Sequence, residues 1–184
     1  MKRHAGLWRA FDLSRWAYFL DFALVPLALV ALVPDAIDKD GAVRAMLEIA
    51  IGLIVWTFAE YWIHRLVFHG LTPFEPMHQM HHALPKAMIG VASWGTLSAF
   101  ALIWLVCGPA FTAGLMAGYL AYCAIHVRMH HHPRGARLSR YITFMNAHHA
   151  GHHRGGRGNF GVTSPIWDLV FATFRPSNSE RNLS

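Results

Sequence analysis

Four long apolar segments constrain this sequence more than any other feature. A bilayer core about 30 Å thick is crossed by roughly 20 apolar residues in a helix. The sequence therefore predicts an all-α integral membrane protein with four transmembrane helices arranged as two hairpins. The segments are Trp16 to Val33, Val43 to Ile63, Ile89 to Cys107 and Ala110 to Ile125.

The segment boundaries carry polar residues and helix breakers. Residues 35–41 form a polar stretch that predicts the first hairpin turn, and Gly108 with Pro109 predicts the second. Charged residues before Trp16, followed by a long apolar core, favour a transmembrane helix over a cleaved signal peptide. With 184 residues, of which 54% are hydrophobic, the whole chain (1–184) is expected to form one membrane domain.

Ten histidines follow the second and fourth apolar segments in two matching halves. The first half contains H-x4-H and then H-x2-H-H, and the second contains H-x3-H and then H-x2-H-H. The remaining four histidines, His4, His131, His132 and His148, fall outside this pattern and are interpreted as ordinary surface or core residues. The ten histidines of the pattern are His64, His69, His78, His81, His82, His126, His130, His149, His152 and His153.

The spacing of these histidines suits metal binding. Residues three or four apart share a helix face, whereas the last two imidazoles of H-x2-H-H point about 100° apart, so one such motif can serve two metals. Zinc, copper, iron and nickel all bind neutral imidazole, so the spacing leaves the metal open. Ten ligands exceed the four of a structural zinc site. We therefore predict two metal ions with open positions for substrate or oxygen.

The distribution of basic residues predicts the orientation in the membrane. Both histidine groups follow a segment that returns to the same side, and of the sixteen Lys and Arg residues only Lys39 and Arg44 lie in the opposite loops. Because basic loops stay in the cytosol, we expect a histidine-rich helical cap and both termini to be cytosolic. The two cysteines lie in apolar surroundings and indicate no disulfide framework. Motifs for nucleic-acid binding are absent from the sequence.

Glu60 precedes His64 by one helical turn. A carboxylate that accepts a hydrogen bond from the far ring nitrogen of a metal-bound histidine fixes its tautomer and orientation. We therefore expect Glu60 to support His64 in this way. The alternative is that Glu60 reaches water or pairs with Arg65.

In order and spacing, four histidine motifs and a closing segment resemble the fatty acid hydroxylase and sterol desaturase superfamily of membrane di-iron enzymes. The motifs read EYWIHRLVFH, HQMHH, HVRMH and HHAGHH, and the closing segment reads NFGVTSPIWDLVF. The resemblance runs from about Glu60 to Phe174 and is greatest to fatty acid 2-hydroxylase-like members. It implies that the ten histidines are ligands of two iron ions, and that Asp168 is a supporting polar residue.

The resemblance further implies a hydroxylase that uses O2 and two electrons to attack a C–H bond of a lipid, a fatty acyl chain above all. The substrate would enter from the bilayer, and a separate protein would donate electrons because two spans occupy the region before His64. Zinc is a possible occupant in purified samples, since it binds imidazole at least as well as ferrous iron. Alternatives are a desaturase or a carotenoid hydroxylase, or, from another class, a membrane metal transporter.

Two departures from the pattern of fatty acid 2-hydroxylases concern the substrate more than the chemistry. Those proteins commonly carry Asp just after the tyrosine that here is Tyr122, whereas this chain has Cys123. The sequence ALPKAMIGVASW after His82 also lacks much of the usual continuation.

Overall fold

The computed structural model describes residues 7–131 and 139–176, and this part of the chain contains helices and no strands. The predicted all-α class is therefore confirmed. A 3-10 turn covers Leu7–Phe11 and a π-helix covers Ile63–Phe68. The α-helices are α1 (Arg15–Phe19), α2 (Asp21–Asp40), α3 (Ala42–Trp62), α4 (Glu75–Ala83), α5 (Ser93–His131), α6 (Arg140–Gly155) and α7 (Ile166–Val170).

Three helical stretches are long and apolar enough to cross a membrane, namely Arg15–Asp40, Ala42–Phe68 and Ser93–His131. The first is longer than the predicted span, and the predicted turn at 35–41 was wrong, because the helix continues to Asp40. An ion pair one turn apart, between Lys39 and Asp35 at 2.8 Å, stabilises this polar end of the helix. Gly41, with φ 77°, is the single residue between α2 and α3, and the chain reverses there.

Helix α5 reverses direction at Gly108, where φ is 79° and ψ is 176°. The rings of Phe100 and Tyr119 lie 5.6 Å apart, whereas nineteen residues of continuous helix would separate them by about 28 Å. Helix α5 is therefore two antiparallel arms, 93–107 and 109–131. The predicted helix start at Ile89 was wrong, because that residue forms an isolated β-bridge with Asp12 and the first arm begins at Ser93.

Both chain reversals lie at the same end of the helical bundle. Ala36, Ala45 and Ala110, which flank Gly41 and Gly108, form one buried cluster. The π-helix that continues α3 and carries His64 therefore lies beside the histidine-bearing end of α5, at the opposite end of the bundle.

Close backbone contact fixes α3 against the second arm of α5. A Cβ atom placed on Gly52 would lie 2.3 Å from the carbonyl oxygen of Phe111, and one on Gly114 would lie 2.1 Å from that of Ile49. Small residues allow this approach between helices in a membrane, where packing rather than hydrophobic exclusion drives association. The contact sets the axial register of the two helices that carry His64 and His126.

Gly114→Val should lower the stability of the bundle by at least about 1–3 kcal/mol, because the new side chain collides with backbone that cannot move aside. The measurement is thermal unfolding in detergent, followed by circular dichroism. Gly155→Ala is the control, since a Cβ there meets no atom within 4 Å. Equal melting temperatures for the two variants would contradict the packing argument.

Candidate metal centre

Nine of the ten predicted histidines form two clusters, in each of which the ligand nitrogens lie within 4.8 Å of one another. The tenth, His153, adjoins the second cluster, with its Nε2 3.0 Å from that of His149. Each cluster combines residues from both halves of the sequence, so neither half forms a site by itself. The first cluster is His64, His69, His78, His82 and His152, and the second cluster is His81, His126, His130 and His149.

The π-helix explains how the H-x4-H spacing can serve one site. Residues five apart point in different directions on an α-helix, but they align where hydrogen bonds run from i to i+5. His64 lies within the π-helix and His69 immediately follows it. Their ring centroids are 5.4 Å apart, and both belong to the first cluster.

Each H-x2-H-H motif divides its histidines between the two clusters. In α4, His78 and His82 lie one turn apart with Nε2 atoms 3.0 Å from each other, while His81 turns to the second cluster. In α6 the pattern is reversed, because His152 joins the first cluster while His149 and His153 lie one turn apart at the second. This division follows from the 100° step between consecutive helical residues.

The nitrogen separations of the first cluster test whether it fits a metal ion. The Nε2 atoms of His69, His78, His82 and His152 form a closed ring with neighbours 3.0–3.1 Å apart, and that of His64 lies 3.0 Å from that of His78. Neighbouring ligands placed 2.1 Å from an octahedral ion are about 3.0 Å apart, against about 3.4 Å for a tetrahedral one. The first cluster therefore matches an ion with more than four ligands.

The second cluster contains four histidines whose ligand nitrogens lie within 4.8 Å of one another, one fewer than the first cluster. Its Nε2 separations are 3.2 Å between His126 and His130, and 3.0 Å between His130 and His149. The Nε2 atom of His81 is buried and has no hydrogen-bond partner among the described residues. A buried nitrogen without a partner is costly. A bound cation would remove this cost.

Four cluster histidines outside the membrane helices have pKa values well below neutrality. Burial, followed by the neighbouring imidazoles, lowers the pKa of His69 to about 4 and that of His81 to about 2. The same causes lower the pKa of His152 and His153 to about 3. Each ring therefore offers a lone pair, which is the form that binds a metal.

A closing loop, residues 158–163, determines which nitrogen of two cluster histidines carries the proton. The carbonyl of Phe160 accepts a hydrogen bond from His64 Nδ1 at 2.5 Å, and that of Gly158 accepts one from His152 Nδ1 at 2.8 Å. Because a carbonyl can only accept, each Nδ1 must be protonated. The Nε2 lone pairs of both rings are thereby directed into the first cluster.

Two buried carboxylates accept hydrogen bonds from four consecutive backbone N–H groups of this loop. Asp168 accepts from Phe160 and Gly161, each at 2.8 Å, while Glu60 Oε1 accepts from Val162 at 2.5 Å and from Thr163 at 2.8 Å. Burial raises the pKa of Asp168, but the hydrogen bonds that it accepts outweigh burial and leave its pKa below the ordinary value. Asp168 is therefore ionised at neutral pH.

The expected hydrogen bond between Glu60 and His64 is corrected by this geometry. His64 Nδ1 donates its hydrogen bond to the carbonyl of Phe160. Glu60 instead accepts hydrogen bonds from the loop N–H groups and from the Thr163 hydroxyl. The alternative roles fail as well, because Glu60 is buried and Arg65 donates to the hydroxyl of Tyr61. Glu60 thus contacts the loop, and the loop contacts His64.

Residues outside the predicted set also hold the loop. His148 lies outside the ten-histidine pattern of the sequence. It is buried, and its Nε2 lies 3.0 Å from Asp168 Oδ2. Asn159 adopts a positive φ of 58° and donates through Nδ2 to the carbonyls of His148 and Arg175. Asparagine tolerates this backbone region better than most residues, which is the one sequence signal that could have indicated its role. His131 belongs to neither cluster, and His4 and His132 lie outside the described residues.

Asp21 is a further polar residue whose surroundings the sequence did not predict. It is buried in the apolar bundle, and its Oδ2 accepts a hydrogen bond from the hydroxyl of Tyr119 at 2.5 Å. Tyr122 lies one turn from the second cluster, with its ring stacked on His126 at 5.5 Å.

Comparisons with known proteins agree with this arrangement. The chain is 31% identical over 152 residues to the dihydroceramide fatty acyl 2-hydroxylase FAH1 of Arabidopsis thaliana, which covers 72% of this chain and 62% of the relative. It is 29% identical over 151 residues to a fatty acid 2-hydroxylase of Rattus norvegicus, covering 71% of this chain and 40% of the relative. The chain thus spans less than two thirds of the length of these relatives.

A solved structure shares the fold. It is described as full-length Scs7p with only the hydroxylase domain visible, and it matches with a TM-score of 0.73 and 24% identity over 94% of this chain and 71% of that one. Residues 49–173 match the sequence profile of the fatty acid hydroxylase family, and this region contains both clusters and the closing loop. This chain belongs to the fatty acid hydroxylase family.

Proposed function

We propose that this protein is a membrane di-iron oxygenase that hydroxylates a C–H bond of a lipid. The observation that carries the proposal is the pair of converging imidazole clusters at one end of an apolar helical bundle. Its relatives are named as fatty acid and dihydroceramide fatty acyl 2-hydroxylases, so a fatty acyl chain is the substrate that we propose. The net reaction consumes O2, two electrons and two protons, and yields the hydroxylated lipid and water.

The proposed iron ligands are the five histidines of the first cluster and, for the second, its four histidines together with His153. Iron bound there would supply the oxygen activation that no amino-acid side chain provides. The chain supplies position and protonation state. The carbonyls of Phe160 and Gly158 keep the Nε2 lone pairs of His64 and His152 available. Asp168 and Glu60 hold the backbone of residues 160–163, which includes the first of these carbonyls.

We also propose four membrane-embedded helices with the clusters on the cytosolic side. The two antiparallel arms of α5, added to α2 and α3, give two hairpins whose turns lie together. Fourteen of the sixteen basic residues lie outside those turns, which supports a cytosolic cap and cytosolic termini. A lipid can then approach the clusters laterally from the bilayer. A separate protein would deliver the electrons.

The function is tested by comparing lipid extracts of cells with and without this protein by mass spectrometry, with growth in labelled oxygen. We expect a fatty acyl lipid that has gained one oxygen atom derived from O2. A product that has lost two hydrogens without gaining oxygen would identify a desaturase. Metal flux into liposomes without any lipid product would identify a transporter.

Single ligand substitutions should separate cluster residues from bystanders. His152→Ala removes one corner of the first cluster and should abolish hydroxylation and reduce bound metal. His81→Ala should do the same at the second cluster. His131→Ala should leave both nearly intact, because His131 belongs to neither cluster. Metal content per chain is measured by elemental analysis beside activity. Wild-type metal content in His152→Ala would refute its assignment as a ligand.

Amide substitutions of the two carboxylates should differ in severity. In Asp168 each oxygen accepts a hydrogen bond from a backbone N–H group. In Asp168→Asn the amide NH2 group replaces one of these oxygens, so two hydrogen-bond donors face each other. In Glu60 a single oxygen accepts both backbone N–H groups, and the other faces the Thr163 hydroxyl, which can accept from an amide. We expect Asp168→Asn to weaken metal retention by about 10 to 100-fold and Glu60→Gln by less. Zinc release into a chelator measures this, and the reverse order would contradict the loop geometry.

A further inference from the structure

Helix α7 directs its apolar side chains outward and its one charged side chain inward. Ile166, Leu169 and Val170 are 56%, 60% and 61% exposed, whereas Asp168 is fully buried beneath them. Three adjacent large apolar side chains on a water-facing surface would be unfavourable. The exposed face of α7 therefore calls for an apolar partner.

The position of α7 along α3 indicates what that partner is. Trp167 Nε1 donates to the hydroxyl of Thr57 at 3.0 Å, and its ring lies 4.8 Å from that of Phe58. Thr57 precedes Phe68, the end of the candidate membrane helix, by eleven residues or about 16 Å along the axis. Helix α7 thus packs beside the candidate membrane helix Ala42–Phe68 and not beyond its end.

The outward face of α7 also continues an exposed apolar surface of α3. Ile54 and Phe58, one turn apart on α3, are exposed on the side of the helix next to Trp167. Tyr141 extends the same rim, because it is exposed and its hydroxyl donates to the carbonyl of Thr163 in the closing loop. Tyrosine is enriched where proteins meet the bilayer interface. Lipid acyl chains match this continuous apolar strip without a second protein.

We infer that α7 is inserted into the bilayer leaflet at the histidine end and fixes the closing loop to the membrane. Its residue Asp168 holds the N–H groups of Phe160 and Gly161, and the carbonyl of Phe160 orients His64. Contact of Ile166, Leu169 and Val170 with lipid therefore maintains the geometry of the first cluster. This coupling to metal binding rests on the proposed function, whereas the location of α7 does not.

The location is tested by spin labels on the full chain in phosphatidylcholine liposomes, after replacing Cys107 and Cys123 with alanine. Labels at position 169 are compared with labels at position 54, on the lipid-facing side of α3, and at position 154, where Arg154 is exposed at the histidine end. We expect position 169 to collide with O2 in preference to a water-soluble nickel chelate, as position 54 does. A nickel accessibility like that of position 154 would overturn the inference.

The coupling is tested by zinc release from liposome-reconstituted Leu169→Asn. Leu102→Asn is the control, because Leu102 is comparably exposed (66% against 60% for Leu169) on the arm 93–107, which makes no hydrogen bond to the closing loop. We expect Leu169→Asn to release zinc about 10-fold faster than wild type and Leu102→Asn to release it at the wild-type rate. Equal rates for the two variants would overturn the coupling. Since neither test measures hydroxylation, a wrong assignment of substrate or reaction leaves both results interpretable.

Discussion

The hydrogen bonds of four consecutive backbone N–H groups hold the metal-binding end of this protein together. Residues 160–163 place these donors in the interior, where a missing acceptor would cost about 1–3 kcal/mol each. Asp168 and Glu60 supply the acceptors from two different elements, and the donors in turn stabilise two carboxylates that could not otherwise be buried. Loop, carboxylates and cluster histidines therefore depend on one another.

Packing between the helices determines the axial position of the cluster histidines. Gly52 and Gly114 bring the backbones of α3 and α5 into contact, and this contact fixes how far each helix extends toward the clusters. The π-helix then adds the turn that aligns His64 with His69. Long rigid elements thus deliver most of the ligands, while only the closing loop must be tied in place by side chains.

The sequence predicted features that depend on local pattern. Apolar length indicated the membrane helices, and histidine spacing indicated that each H-x2-H-H motif would serve two sites. The sequence did not predict that α2 ends at Asp40, where an ion pair stabilises its last turn. It also did not predict that α5 begins only at Ser93, because Ile89 forms a β-bridge instead of a helical turn. The partner of Glu60 was missed because it lies about a hundred residues further along the chain. Such contacts follow from tertiary packing and leave little trace in local spacing.

The mixed origin of the two clusters has a consequence for biosynthesis. The first cluster gains its fifth imidazole from His152 and the second its fourth from His149, both on α6. A nascent chain that has not yet released α6 from the ribosome offers incomplete sites, however well its first helices are inserted. Stable metal capture by either cluster thus requires that α6 has been made and has packed against the two hairpins.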